Sequence, residues 1–231
     1  MGIDAALLWT GSSSVGRGLH ELAEVQRAVL LVVGSNTRSL FGRVMVGDHT
    51  RNALNGAPCA VAVAPAGYAG RPVVLSEINI GYDGSEASRA AVTVAARRAG
   101  AGGKVFVVHA YHLPPDFLGS PNFDRQLSAH RDHGRALLDT LLLVGNDELL
   151  DVEYETELLG GPPAQAIADV ARARDADEIV VGAHGHGRVR ALLGGVSHEL
   201  LHIADRPVVV IPAAAAAQRE SQTHRESAAP G

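Results

Sequence analysis

Two spacings of apolar residues alternate along the C-terminal two thirds of the chain. Short apolar runs occur at 76–81, 104–111 and 177–182, and the stretches between them carry apolar residues at helical spacing. Residues 152–158 alternate Val, Tyr, Thr and Leu with acidic residues, which predicts a half-exposed strand. Strands that alternate with helices form βαβ units. The pattern therefore predicts a parallel sheet with right-handed crossovers.

The helices between these strands have recognisable ends. Glu86–Gly100 has Ala and Val on one face and two arginines near its C-terminal end, where cations are favoured. Residues 123–143 carry leucines at helical spacing, and Pro162-Pro163 open the next helix. These elements predict an open five-stranded parallel sheet with helices on both faces, over a complete domain at 71–213.

The rear half of this pattern occurs a second time, near the N-terminus. Residues 28–65 and 176–212 both contain an apolar strand, a Gly-containing loop, a helix-like stretch and an apolar strand that ends in proline. The first copy is predicted to begin with a short apolar strand, Ala5–Trp9. A repeat of this length indicates duplicated structure, so residues 1–67 are predicted to form the C-terminal half of a second copy. The polar tail at 214–231 is predicted to be disordered.

The first copy lacks an equivalent of residues 76–143, which leaves strand edges unpaired and apolar faces uncovered. We therefore expect it to dock on another surface. The predicted contact joins the last strands of the two copies, Cys59–Ala64 and Val208–Ile211, either within one chain or in a homodimer.

Composition and charge exclude several classes of protein. Apolar residues make up 46% and charged residues 19% of the chain, and the net charge is −5, so no broad nucleic-acid footprint is expected. Cys59 is the only cysteine, which fits a reducing compartment. The N-terminus lacks signal-peptide features, and no apolar stretch nears the roughly 18 residues that span a membrane. The expected location is cytoplasmic, without membrane contact.

Two glycine-containing loops follow strands of the predicted sheet, at 82–85 and 182–187, and a third lies at a helix start at 194–197. Ligands bind at the carboxyl ends of such strands, glycines allow close backbone approach, and helix N-termini attract phosphate. The loops do not form a Walker A motif, because no Gly-Lys-Ser/Thr follows. On these residues alone, a phosphate cradle and a purely structural turn are equally favoured.

The sequence gives weaker evidence for metal binding or catalysis. His198 and His202 lie four residues apart on a helix, and His184 and His186 lie nearby, but no Cys or suitably spaced Glu completes a metal site. No metal site is predicted. Asp83 is expected to orient a ligand or cap a helix rather than to catalyse a reaction, and no catalytic residue is assigned.

Four ordered landmarks resemble the universal stress protein family. They are Ile80–Ser85, Val107–Ala110, Val181–Gly185 and Leu192–Ser197, and the second half of the pattern recurs at 1–65. The resemblance covers essentially all of the complete domain. It implies a Rossmann-like fold similar to the adenine nucleotide alpha-hydrolases, and dimers that form through the last strand.

The resemblance also implies an ATP site, with Mg²⁺ accompanying the nucleotide. Asp83 would lie near the ribose and phosphates, Ala110 by the adenine, and the glycine-rich turns around the ribose and phosphates. The residues expected at this site are Gly81, Tyr82, Asp83, Ala110, Gly182, His184, Gly185, Gly194, Gly195, Val196 and Ser197.

The phosphate loop departs from the family pattern, in which Gly-x-x-Gly is followed after nine residues by Gly and then Ser or Thr. That spacing from Gly185 ends at Gly195, which is followed by Val196; a one-residue deletion instead puts Gly195 at the hydroxyl position. Either way one phosphate contact is lost, unless Ser197 replaces it, at about 1.5–3 kcal/mol. In the first copy Asp48 follows the loop glycine, so that copy is expected to bind no nucleotide.

Two functions follow as expectations. The first is an ATP-binding stress-response protein that acts as a sensor or regulator, without efficient catalysis. The alternative is an interaction module of the same family that binds no nucleotide and whose degenerate phosphate loop is structural.

Overall fold

In a computed structural model of the chain, the residues described are 5–34, 48–65, 68, 75–112, 121–148, 151–183 and 193–212. The predicted tail at 214–231 lies outside them. The strands are β1 (Leu30–Gly34), β2 (Ala60–Ala64), β3 (Glu77–Gly81), β4 (Lys104–Tyr111), β5 (Glu153–Gly160), β6 (Glu178–Gly182) and β7 (Val208–Ile211). The helices are α1 (Val15–Val25), α2 (Asp48–Leu54), α3 (Glu86–Ala99), α4 (Phe123–Glu148), α5 (Pro163–Ala173) and α6 (Gly195–Ile203).

All seven strands belong to one sheet, in the order β1-β2-β7-β6-β3-β4-β5. Strand pairs are parallel except β2 with β7. From β3 the chain proceeds outward to β4 and β5, and then returns to β6 and β7 on the other side. The α/β prediction is confirmed, and the topological switch point lies between β3 and β6.

Apolar side chains from both faces of the sheet form two cores. One core packs β6 and β7 against α5 and α6, and the other packs β3 and β4 against α3 and α4. Ile78 and Ile80 of β3 are fully buried, as expected for an interior strand of a sheet covered on both faces. No helix in the described part of the chain is long and apolar enough to cross a membrane.

A buried ion pair joins α3 to β6. Arg98 Nε lies 2.5 Å from Glu178 Oε1, and Arg98 Nη2 donates to Glu178 Oε2 at 2.7 Å. The Glu178 side chain is 2% exposed, and that of Arg98 is 25% exposed. Hydrogen bonding to this carboxylate raises the pKa of Arg98, so the guanidinium remains charged. The pair fixes the helix that precedes β4 on the central strands.

The first copy repeats the end of the complete copy: β1, α2 and β2 correspond to β6, α6 and β7. The two copies meet inside the chain, where β2 pairs antiparallel with β7. Ala62 lies directly opposite Val209, and these residues occupy equivalent positions in the repeat, since Pro65 corresponds to Pro212. The equivalent strands are thus related by an approximate two-fold axis.

The predicted strand at Ala5–Trp9 is wrong. The structure has no strand there, and Leu7 and Trp9 are 96% and 89% exposed. Among the described strands, the corresponding strand of the complete copy, β5, pairs only with β4. No described strand of the first copy corresponds to β3 or β4, so an extended segment at this position has no described neighbour with which to form a ladder.

Candidate functional site

A cavity of about 180 Å³ opens at the carboxyl ends of β3, β4 and β6. The first residues of α3, α5 and α6 close its sides. It therefore lies at the topological switch point, where open parallel sheets bind their ligands. Three helix N-termini converge here because β3, β5 and β6 are followed by α3, α5 and α6, which begin at this edge.

The loop after β3 is held by backbone and side-chain hydrogen bonds. Asp83 Oδ1 accepts from the Ser85 amide at 2.9 Å, and the Tyr82 amide donates to the Val108 carbonyl at 2.9 Å. His109 Nδ1 lies 2.8 Å from the Tyr82 carbonyl, so this ring nitrogen carries the proton and donates. These bonds hold the loop after β3 against the end of β4.

The N-termini of α3 and α6 differ in how they are capped. Ser85 caps α3, and its Oγ accepts from the Ser88 amide at 3.2 Å. Gly194 caps α6 and offers no side-chain cap. The first-turn amides of α6, from Gly195 to Ser197, have no intrahelical acceptors and lie at the positive end of the helix dipole. α5 likewise has no side-chain cap, but its first helical residue is Pro163, which has no N–H to offer. The α6 N-terminus therefore offers more free amides to an anion than that of α5.

Two glycines of the cavity differ in the space around their Cα atoms. A Cβ at Gly182 would lie 2.7 Å from the Ala87 Cβ and 3.0 Å from its backbone carbon, so glycine is required for α3 to pack on β6. A Cβ at Gly195 would meet no atom within 4 Å. Gly182 is explained by packing alone, whereas the space over Gly195 is open to a ligand.

Ser197 does not supply the missing phosphate contact. Its side chain is buried, and its hydroxyl donates to the Gly182 carbonyl at 2.6 Å. Thr50 makes the same contact in the first copy, donating to the Gly34 carbonyl at 3.4 Å. The hydroxyl at this helix position ties the helix to the strand end in both copies, and its single proton is already used.

This repeated contact fixes the alignment of the two copies. If Thr50 corresponds to Ser197, then Asp48 corresponds to Gly195, and these two residues are the first of α2 and α6. At the first helical position the sequence of the first copy therefore has aspartate, whereas that of the complete copy has glycine.

The structure brings together nine of the predicted site residues. The nine that line the cavity are Gly81, Tyr82, Asp83, Ala110, Gly182, Gly194, Gly195, Val196 and Ser197. His184 and Gly185 lie outside the described residues. Seven further residues that line the cavity were not among the expected site residues: Ser85, Ser88, Val108, His109, Pro163, Ile167 and Val181. Of these, Ser88, Pro163 and Ile167 also lie outside the four sequence landmarks. Pro163 could have been predicted, because a proline that opens a helix after a strand of this sheet lies at the same edge.

Among the residues described, no group of three or more His, Cys, Asp or Glu side chains is placed to hold a metal ion. His198 and His202 stack edge to face, with ring centroids 4.8 Å apart. Burial and the nearby His198 and Arg51 lower the pKa of His202. The thiol of Cys59 is buried, and burial raises its pKa, as for a core residue rather than a nucleophile.

The sequence model of the universal stress protein family matches residues 10–65 and 76–212. The chain belongs to the universal stress protein family. A universal stress protein of Thermus aquaticus is 37% identical over 143 residues, which cover 60% of this chain and 99% of that protein. A universal stress protein of Mycobacterium tuberculosis is 30% identical over 186 residues, which cover 79% of this chain and 61% of that protein.

Solved structures agree with this fold. A putative universal stress protein from Pseudomonas aeruginosa has a TM-score of 0.64 at 18% identity, and covers 92% of this chain and 74% of its own. A universal stress protein from Archaeoglobus fulgidus has a TM-score of 0.61 at 18% identity, and covers 84% of this chain and 66% of its own. The chain spans about the whole length of the Thermus relative but only 61% of the mycobacterial one.

Proposed function

We propose that this universal stress protein binds an adenine nucleotide, ATP with Mg²⁺, in the cavity between β3 and β6. It acts in the stress response as a nucleotide-dependent sensor or regulator rather than as an enzyme. Family membership supports the broad class of function. The structural observation that carries the proposal is the α6 N-terminus, which lacks a side-chain cap and opens into a cavity at the switch point.

In this proposal each part of the nucleotide has an expected position, which the resemblance to the family implies. The phosphates would bind the amides of Gly195 and Val196, where a Cβ at Gly195 would meet open space. The adenine would lie by Ala110 at the end of β4, and the ribose near Asp83. The cavity of about 180 Å³ is smaller than the roughly 300–1,000 Å³ of typical ligand pockets, so the nucleotide would extend outward over the strand ends.

The cavity supports binding better than catalysis. Among its described lining residues the only carboxylate is Asp83, which accepts a hydrogen bond from the Ser85 amide in the turn before α3. Efficient phosphoryl transfer needs a positioned base and a metal-phosphate apparatus. We therefore expect hydrolysis of bound ATP to be slow compared with nucleotide exchange.

The second candidate function is an interaction module that binds no nucleotide. It is favoured by the finding that Gly182 and Ser197 are both explained by packing of the fold. Under this alternative the loops of the cavity are turns only, and the protein works through contacts with other proteins.

The two candidates differ in what accompanies the purified protein. Freshly purified protein is denatured, and the released small molecules are identified by chromatography. The nucleotide-binding proposal predicts adenine nucleotide in the extract, and protein stripped of it should regain stability when ATP is added. An empty protein that shows no thermal shift with millimolar ATP would favour the interaction module.

A further inference from the structure

A glycine lies in the interior of α4. Gly134 is buried and is far from both ends of this 26-residue helix. Glycine lowers helix stability relative to alanine, because it leaves the unfolded chain more conformational freedom and adds no side chain to the packing. The helix itself therefore gains nothing from glycine at position 134, and the neighbouring strands supply the reason for it.

Gly134 is the point at which α4 packs on side chains of β4 and β5. A Cβ at Gly134 would lie 2.6 Å from His109 Cδ2 and 2.7 Å from Leu158 Cδ1. Carbon atoms in contact lie roughly 3.5–4.0 Å apart, so a larger residue at position 134 would displace a neighbour. Leu158 Cδ1 is the end of a flexible side chain and can move by a change of rotamer.

The His109 ring has less freedom to move, because its opposite edge is hydrogen-bonded. Nδ1 donates to the Tyr82 carbonyl at 2.8 Å, whereas the Cδ2 and Nε2 atoms face Gly134. Tyr82 is also bonded to β4 through its amide, which donates to the Val108 carbonyl at 2.9 Å. The ring thus lies between α4 and the loop after β3, and a side chain at position 134 would push it against Tyr82.

α4 contacts the same loop a second time, one turn further along the helix. A Cβ at Gly84 would lie 2.7 Å from Leu137 Cδ2, and the φ of +79° at Gly84 also favours glycine. Asp83 lies between Tyr82 and Gly84 in the chain, and it lines the cavity together with Tyr82. The loop that carries Asp83 is therefore held by α4 on both sides of this residue.

We propose that Gly134 is a positioning residue for the candidate site. It leaves room for the His109 ring beneath α4, and the ring in turn holds Tyr82 and Asp83 at the position where a nucleotide would meet them. Gly134 is not among the residues that line the cavity, so it acts only through His109. The effect on ligand affinity rests on the proposed nucleotide-binding function, whereas the effect on the loop does not.

The first test follows the loop by NMR in the full chain without nucleotide. Gly134→Ala should shift the backbone amide signals of Tyr82 and Asp83 and speed the exchange of the His109 Nδ1 proton with water. In a His109→Ala background, Gly134→Ala should leave the Tyr82 and Asp83 signals in place. Ser128→Ala, at an exposed position of α4, is the control and should shift neither signal. Unchanged Tyr82 and Asp83 signals in Gly134→Ala would overturn the proposal.

The second test is the ATP affinity of the same variants. Gly134→Ala should raise the dissociation constant for ATP at least about fivefold. In a His109→Ala background the same substitution should change it by less than about twofold, because no ring remains to be displaced. In a Leu158→Ala background the full effect of Gly134→Ala should persist.

The outcomes separate the positioning role from nucleotide binding itself. An effect of Gly134→Ala on ATP affinity that is equally large with and without the His109 ring would contradict the proposal, because α4 would then act through general packing. A wild type that binds no ATP would refute the proposed function instead. The NMR signals of Tyr82 and Asp83 would still decide whether Gly134 positions the loop.

Discussion

Replacing Arg98 by methionine is expected to lower the free energy of unfolding by about 3–5 kcal/mol. The variant removes the guanidinium that donates two hydrogen bonds to Glu178 and balances its charge, and the Glu178 side chain is 2% exposed. A buried charge without a partner is strongly destabilising, whereas loss of an exposed pair costs about 1 kcal/mol or less. Urea denaturation of the full chain, followed by circular dichroism, measures the effect.

Two controls separate the buried charge from loss of packing. Arg17→Met removes an exposed ion pair with Glu21, and should cost less than about 1 kcal/mol. Adding Glu178→Leu to Arg98→Met should recover most of the loss, because Leu30 occupies the equivalent position of β1 without an ionic partner. If Arg98→Met lowers the free energy of unfolding no more than Arg17→Met does, the Arg98–Glu178 ion pair does not stabilise the packing of α3 on the sheet.

Placing aspartate at Gly195 is expected to weaken ATP binding by about tenfold or more. The substitution introduces a carboxylate at the start of α6, as Asp48 does at the start of α2, and like charge disfavours the phosphates. The protein should fold normally, since a Cβ there meets no atom within 4 Å and acidic residues are favourable in the first turn. Calorimetric titration with ATP measures the change.

Matched variants isolate the charge effect. Gly195→Asn has nearly the same size without the charge, and should bind ATP more tightly than Gly195→Asp. Gly195→Ser adds the hydroxyl that the family pattern places near the phosphates, so it should bind at least as tightly as the wild type. Adenosine, which lacks phosphates, should bind Gly195→Asp and Gly195→Asn alike. Equal ATP affinity for Gly195→Asp and Gly195→Asn would place the phosphates away from α6.

Asp83→Ala is a less specific probe of ATP binding, because it also removes the hydrogen bond between Asp83 and the Ser85 amide.

The fold was predictable because its strands carry local signals. β4 occupies the predicted range, Lys104–Tyr111, since its apolar run is bounded on both sides by residues that break strands. The junction of β2 with β7 followed from the repeat, which showed that the first copy had unpaired edges. The strand expected at Ala5–Trp9 failed because an apolar run does not reveal whether a neighbouring strand exists.

The location of the candidate cavity could be predicted from the sequence, but the contacts within it could not. Nine of the eleven expected residues line one cavity, because the carboxyl ends of parallel strands share an edge. The sequence could not separate glycines that face a ligand from glycines that allow packing. Gly182 is explained by the approach of Ala87, which is 95 positions away in the chain. The role of Ser197 likewise depends on a carbonyl of another element, Gly182.

The most direct test of nucleotide binding at this cavity is an ATP titration of isotope-labelled protein, followed residue by residue through backbone amide NMR shifts. The account predicts saturable shifts at Gly195, Val196 and Ser197, together with Asp83 and Ala110, and little change at Thr50 in the first copy. No shifts at millimolar ATP, or shifts confined to surfaces away from α6 and β3, would contradict it.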